Sequence, residues 1–179
     1  MSQELSEQEL QRRSSLSKLR ELGIEPYPAA TFSVSHLAAS VKADFIENNQ
    51  VKMAGRMMSQ RIMGKASFAE LQDSSGRIQL YINRDELCPN EDKTLYNEVF
   101  KKLLDLGDFI GIEGTVFKTQ VGEISINVTS LTILSKSLKP LPLPKVDAEG
   151  NTHDAFTDAE LRYRQRYVDL VVNPGVKDT

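Results

Sequence analysis

The chain has no tryptophan, one cysteine and two histidines among its 179 residues. Each scarcity removes a class of chemistry. Cys88 cannot form an internal disulfide, which fits a reducing, cytosolic compartment, and it reads as an inert small apolar residue. His36 and His153 lie far apart, with no cysteine or glutamate at metal-ligand spacing. No Ser/His/Asp or Cys/His arrangement stands out. Asp85-Glu86 and Glu91-Asp92 read as helix-start charges, not as a paired-carboxylate site. A phosphate-cradling loop around Gly64-Lys65 would need glycine at position 59 and Ser or Thr at 66; the chain has Ser59 and Ala66. The expectation is therefore no catalytic, cofactor-binding or metal-binding residues. No apolar run is long enough to span a bilayer, and Met1 to Glu7 is too acidic and polar for a signal peptide, so no membrane partner is expected. Excess positive charge is missing as well. A net charge of -3 argues against a protein that simply coats nucleic acid.

What is present is ordinary in bulk and uneven in detail. Hydrophobic content of 40% and charged content of 26% suit a globular chain of one domain plus extensions. From Asn48 to Ala69, however, the chain holds Lys52, Arg56, Arg61 and Lys65 and no acid. That basic stretch leads into Ser67-Phe68-Ala69-Glu70-Leu71-Gln72, where side chains of a strand alternate. Ser67, Ala69 and Leu71 share one face; Phe68, Glu70 and Gln72 share the other. In Arg77 to Asn83 the alternation is cleaner, with Ile78, Leu80 and Ile82 against Arg77, Gln79, Tyr81 and Asn83. Phe68 and Tyr81 thus stand among polar residues on the face away from the core. Aromatics on a polar sheet face suit base stacking, and nearby cations suit phosphate. The plainer reading is that Phe68 is covered by another element or is an ordinary exposed apolar residue.

The order of elements narrows the fold. Glu7 to Leu22 reads as a helix, with Leu16, Leu19 and Leu22 on one stripe and Gly23 as its stop. A short second helix is expected within Val34 to Ile46, capped by Ser33 or Ser35. Val51 to Met63 reads as a strand bent at Gly55. Strands at Ser67–Gln72 and Arg77–Asn83 follow, joined by the turn Asp73-Ser74-Ser75-Gly76. Asp92 to Leu106 reads as a helix with Leu95, Val99, Leu103 and Leu106 on one stripe. Asp108–Lys118 and Glu123–Leu134 are the last strands, the latter keeping its period only with a bulge near Ser130. Three strands, a helix and two strands is the order of the five-stranded OB-fold barrel, which binds oligonucleotides on its strand 2–3 face. The organisation expected is a helical extension over 1–49, the barrel over 50–136 and a proline-spaced linker over 137–157. A further segment covers 158–179, with a helix at Asp158–Val171 before Asn173-Pro174-Gly175. A linker leading to so short a segment suggests a piece of a longer protein.

The run Met57-Met58-Ser59-Gln60-Arg61-Ile62-Met63-Gly64-Lys65-Ala66-Ser67-Phe68, with Leu71-Gln72-Asp73 and Gly76-Arg77-Ile78-Gln79-Leu80-Tyr81, closely resembles the anticodon-binding domain of bacterial lysyl-tRNA synthetases. The resemblance continues through Asp105-Leu106-Gly107-Asp108 and Gly122 to Ile126. It ends in Arg162 to Leu170, which looks like the entry into a class II catalytic domain. It implies that Phe68 stacks on the central uridine of the lysine anticodon, that Gln79 and Arg61 contact the same base, and that Glu123 lies near the anticodon bases. Lys52, Arg56 and Lys65 are then expected on phosphates. The implied partner is the anticodon loop of lysine tRNA, in the cytoplasm. ATP and magnesium are implied only for the full-length ligase, as is a homodimer. The signature motifs for ATP and lysine lie beyond Arg162–Leu170, so this chain alone is expected to form no aminoacyl-adenylate. The competing readings are a general single-stranded nucleic-acid-binding OB module, a complete ligase and a structural spacer.

Overall fold

The computed structural model describes residues 4–142, 145–146, 152–153, 156–173 and 175–176. They form two compact units, one running through Lys139 and a second beginning at Pro140.

The first unit opens with α1 (Glu7–Glu21). Ser6 caps it: its hydroxyl accepts from Glu9 N at 3.3 Å, and Glu9 Oε2 accepts from Ser6 N at 2.9 Å. At the far end Gly23 takes φ +75, and Ile24 N reaches back to Leu19 O at 2.9 Å. The buried line of α1 is Arg12, Ser15 and Leu19, whereas Leu16 is half-buried and Leu22 exposed. The expected leucine stripe is therefore replaced by one that includes a buried cation. Arg12 donates to Ser137 O at 2.8 Å and Leu106 O at 2.9 Å, tying α1 to the two chain segments that flank β4 and β5. Beside it Lys136 pairs with Asp105 and, at 2.7 Å, with Asp108. Burial pushes the Asp108 carboxyl above its ordinary value, against the pull of Lys136.

Five strands close into a barrel in the order β1-β2-β3-β5-β4. They are β1 (Gln50–Met63), β2 (Ala66–Gln72), β3 (Arg77–Asn83), β4 (Phe109–Lys118) and β5 (Ile124–Ser135). All neighbours run antiparallel except β3 and β5, which run parallel. This is the OB-fold arrangement. The inward residues Met53, Met57, Leu71, Ile78, Leu80, Ile82, Ile110, Ile112, Ile126 and Val128 are all at most 1% exposed, which makes this alternation the main source of stability. The bulge expected near Ser130 is present. Val128 opposes Gly114 and Ser130 opposes Glu113, so Thr129 is the extra residue and Leu131 and Ile133 return to the core.

Gly55 lies at a close crossing of β1 with β2. The strand is continuous through it, and a Cβ there would lie 2.5 Å from Gln72 O, so glycine permits two strands to cross closely. The irregularity sits at Met58, between the pairs Met57–Leu71 and Ser59–Glu70. Between β3 and β4 come α3 (Arg84–Leu87), whose first turn holds the helix-start charges Asp85 and Glu86, and a π-helix at Leu95–Leu103. Tyr96, Val99, Phe100 and Leu103 are its buried residues; Leu95 and Leu106 are only half-buried. Tyr96 stacks on Phe100 and places its hydroxyl 2.8 Å from Ser67 Oγ on the inner face of β2. The second helix, α2 (Ala38–Ala43), is not capped by Ser33 or Ser35. Its first N–H groups donate to Asp73 Oδ2 at 2.6 Å and Ser75 Oγ at 2.9 Å, both in the β2–β3 turn.

In the second unit the single expected helix is two, α4 (Ala159–Arg164) and α5 (Arg166–Val172), broken where Gln165 takes φ -119 and ψ 52. Buried Asp169 joins them through Arg162 at 2.8 Å and Arg166 at 2.5 Å. Thr152–His153 pairs with Lys145–Val146; the rest of the connector between Pro142 and Phe156 lies outside the described residues.

Candidate nucleic-acid interface

The site is a face of the barrel, and its residues reach it through strand parity. In β2 and β3 the even–odd alternation holds throughout: Ser67, Ala69, Leu71, Ile78, Leu80 and Ile82 point in. Phe68, Glu70, Gln79 and Tyr81 point out and are half-exposed. In β1 parity alone would fail. Val51, Met53 and Met57 point in, so an unbroken strand would bury Arg61 as well. The bulge at Met58 inserts one residue and reverses the sense. Arg61 then faces outward, directly opposite Phe68.

Two cross-strand rows follow from the register. One runs Arg61, Phe68, Tyr81, Asn127. The other runs Ser59, Glu70, Gln79, Ser125, Phe117. The aromatic rings converge: Phe68 and Tyr81 have centroids 5.3 Å apart, and Tyr81 and Phe117 are 5.9 Å apart, edge to face. Polar groups frame them. Gln79 Oε1 accepts from Ser125 Oγ at 2.8 Å. Asn127 donates to Glu86 at 2.5 Å, and its Oδ1 is buried without a partner. Arg77 braces Glu70 at 3.0 Å and Gln72 at 2.9 Å.

The expected phosphate contacts are dispersed. Lys52 lies nine residues before Arg61 on β1, about 30 Å of strand. Its Nζ pairs with Glu113 at 2.8 Å. Arg56 is half-buried; its guanidinium lies 4.3 Å from the Phe109 ring centroid and donates to Gly107 O at 2.8 Å. Burial lowers its pKa from the ordinary arginine value. Lys65 and Arg61 are exposed, and among the described residues neither side chain has an ion-pair partner. Glu123 is exposed just before β5, with Lys42 of α2 3.5 Å away. The structure thus groups Arg61, Phe68, Gln79 and Tyr81, with Lys65 in the adjacent turn and Glu123 at the β5 end. Lys52 and Arg56 sit elsewhere.

Sequence reasoning missed Phe117, Ser125 and Asn127. Alternation in β4 puts Phe117 outward, but its place beside Tyr81 depends on β5 inserting between β3 and β4, which no local pattern reveals.

An OB-fold nucleic acid binding domain of the tRNA anti-codon type matches residues 51–134, which is the barrel. The chain is 62% identical over 176 residues to a lysine–tRNA ligase of Christiangramia forsetii, covering 98% of this chain and 31% of that protein. It is 62% identical over 177 residues to one of Azobacteroides pseudotrichonymphae (97% and 35%), and 58% identical over 180 residues to one of Porphyromonas gingivalis (98% and 31%). The chain spans about a third of the length of these relatives. It belongs, over that third, to the family of bacterial lysine–tRNA ligases, and its barrel is the OB-fold nucleic acid binding domain of that family.

Proposed function

We propose that the outer face of β2 and β3 reads the anticodon of lysine tRNA. The observation that carries this is the row Arg61–Phe68–Tyr81 on the open side of an OB barrel. Phe68 is the stacking surface for the central uridine. Arg61 and Gln79 reach the edge of that base, and Glu123 accepts from a base N–H nearby. Lys65, free of acidic partners among the described residues, is the nearest phosphate contact; Lys52 and Arg56, held by Glu113 and by Phe109 and Gly107, contribute less. The joining of lysine to its tRNA with ATP and magnesium, dimerisation and a cytoplasmic setting belong to the longer protein on this reading. Among the described residues no helix is long and apolar enough to cross a membrane.

One alternative has an observation in its favour. Three adjoining aromatics, Phe68, Tyr81 and Phe117, also suit sequence-tolerant stacking of single strands. Binding of anticodon stem-loops carrying UUU or UCU to wild type and Phe68→Ala separates the two. Phe68→Ala is expected to weaken UUU binding by about 1–3 kcal/mol. The U-to-C change is expected to weaken wild-type binding. Equal binding of both loops by wild type favours the general single-strand binder. Equal, weak binding in all four combinations removes both.

A further inference from the structure

Ser125 is fully buried, yet its hydroxyl serves a residue on the outer face. Ser125 Oγ lies 2.8 Å from Gln79 Oε1, while its other acceptor, Glu123 O, is 3.4 Å away. A hydroxyl has one proton to give, and the shorter contact takes it. With Oε1 held, the group Gln79 has left for a ligand is its NH2. The opposite orientation would turn the amide carbonyl toward Glu70, the carboxylate directly across on β2. Glu70 itself is held by Arg77 at 3.0 Å.

We propose that Ser125 is a positioning residue that sets the base preference of this face. By fixing Gln79 as a donor, it selects a pyrimidine with a carbonyl at ring position 4, as in uracil, over one with an amino group there, as in cytosine. The inference rests on the anticodon reading above and adds the atom that discriminates. A site built to donate one hydrogen bond leaves that donor unpaired, and facing another donor, when the wrong base enters.

The test is equilibrium binding of stem-loops with U or C at the central position to the full chain, Ser125→Ala, Gln79→Glu and Phe68→Ala, with thermal melts alongside. Wild type prefers U. Ser125→Ala frees the amide and shrinks the U-over-C ratio by roughly five- to tenfold, chiefly by admitting the C loop. Loss of packing alone would weaken both loops and leave their ratio unchanged. Gln79→Glu still accepts from Ser125 Oγ but turns an acceptor outward, so its preference moves to C. An unchanged ratio in folded Ser125→Ala, or a retained U preference in Gln79→Glu, overturns the proposal. In that event a drop on Phe68→Ala still upholds the anticodon reading, whereas no effect of Phe68→Ala removes both. If Ser125→Ala fails to fold, Gln79→Glu decides, since Gln79 lies on the outer face and leaves the core intact.

Discussion

Both halves of β1 carry basic residues and put them to different uses. The first half, through Arg56, pairs with β4, and its cations are spent on the protein: Lys52 on Glu113, Arg56 on Phe109 and Gly107. The second half, from Ser59 on, pairs with β2, and its cation Arg61 faces solvent beside Phe68. The bulge at Met58 is the boundary. A run of basic residues in sequence is therefore not one site. Strand length and parity divide it into a part paired within the protein and a part that faces solvent.

The contrast can be broken most forcefully at Gly55. Gly55→Val puts side-chain atoms against Gln72 O, 2.5 Å from where a Cβ would lie, and is expected to cost about 3 kcal/mol. The thermal midpoint should fall by roughly 10 °C; an unchanged melt would mean that the barrel closes with room to spare. Next comes a crossed pair. Arg61→Ala should weaken stem-loop binding by about 2 kcal/mol and leave the melt unchanged. Arg56→Ala should do the reverse, losing about 1 kcal/mol of stability with its stacking and hydrogen bond and little affinity. If both variants lose the same property, the division of β1 is wrong.

A pH titration probes the other end of β2. Burial pushes the Asp73 carboxyl up, but bonds from Ala38, Ser75 and Gly76 outweigh it and hold it below the ordinary value. Unfolded, it titrates near pH 4 (about 3.9). The stability it supplies is therefore complete above that pH and is lost as pH falls through the lower folded value. Asp73→Asn should be less stable than wild type at neutral pH, with the gap closing in acid; a gap constant with pH would show that the charge is irrelevant. The smallest effect is in salt. Lys65→Ala should flatten the slope of log affinity against log salt by about 0.7, one contact to a single strand, and Lys52→Ala should leave it unchanged.

The outer face of β2 and β3 was legible because seven residues of strict alternation specify a face without help from the rest of the chain. Phe68, Gln79 and Tyr81 could be placed by counting. Other features needed distant partners. Arg61 was assigned by resemblance; parity without the Met58 bulge would have buried it. The close approach that Gly55 allows could not be read locally, because the neighbour it makes room for, Gln72, lies on another strand. In the helix at Leu95–Leu103 the buried face is Tyr96, Val99, Phe100 and Leu103, at the spacing i, i+3, i+4, i+7; the leucine stripe through Leu95 and Leu106 lies beside it. Gln165 divides the last helix although nothing near it is a helix breaker; the buried Asp169, shared by Arg162 and Arg166, is a partner set that periodicity does not show.

The cap of α2 has a consequence for how the molecule assembles. A six-residue helix does not persist by itself. Its first N–H groups find their acceptors 35 and 36 positions later in the chain, in the turn between β2 and β3. A chain emerging from the ribosome therefore delivers this segment early and locks it late. α2 can be fastened only after the turn between β2 and β3 has been made.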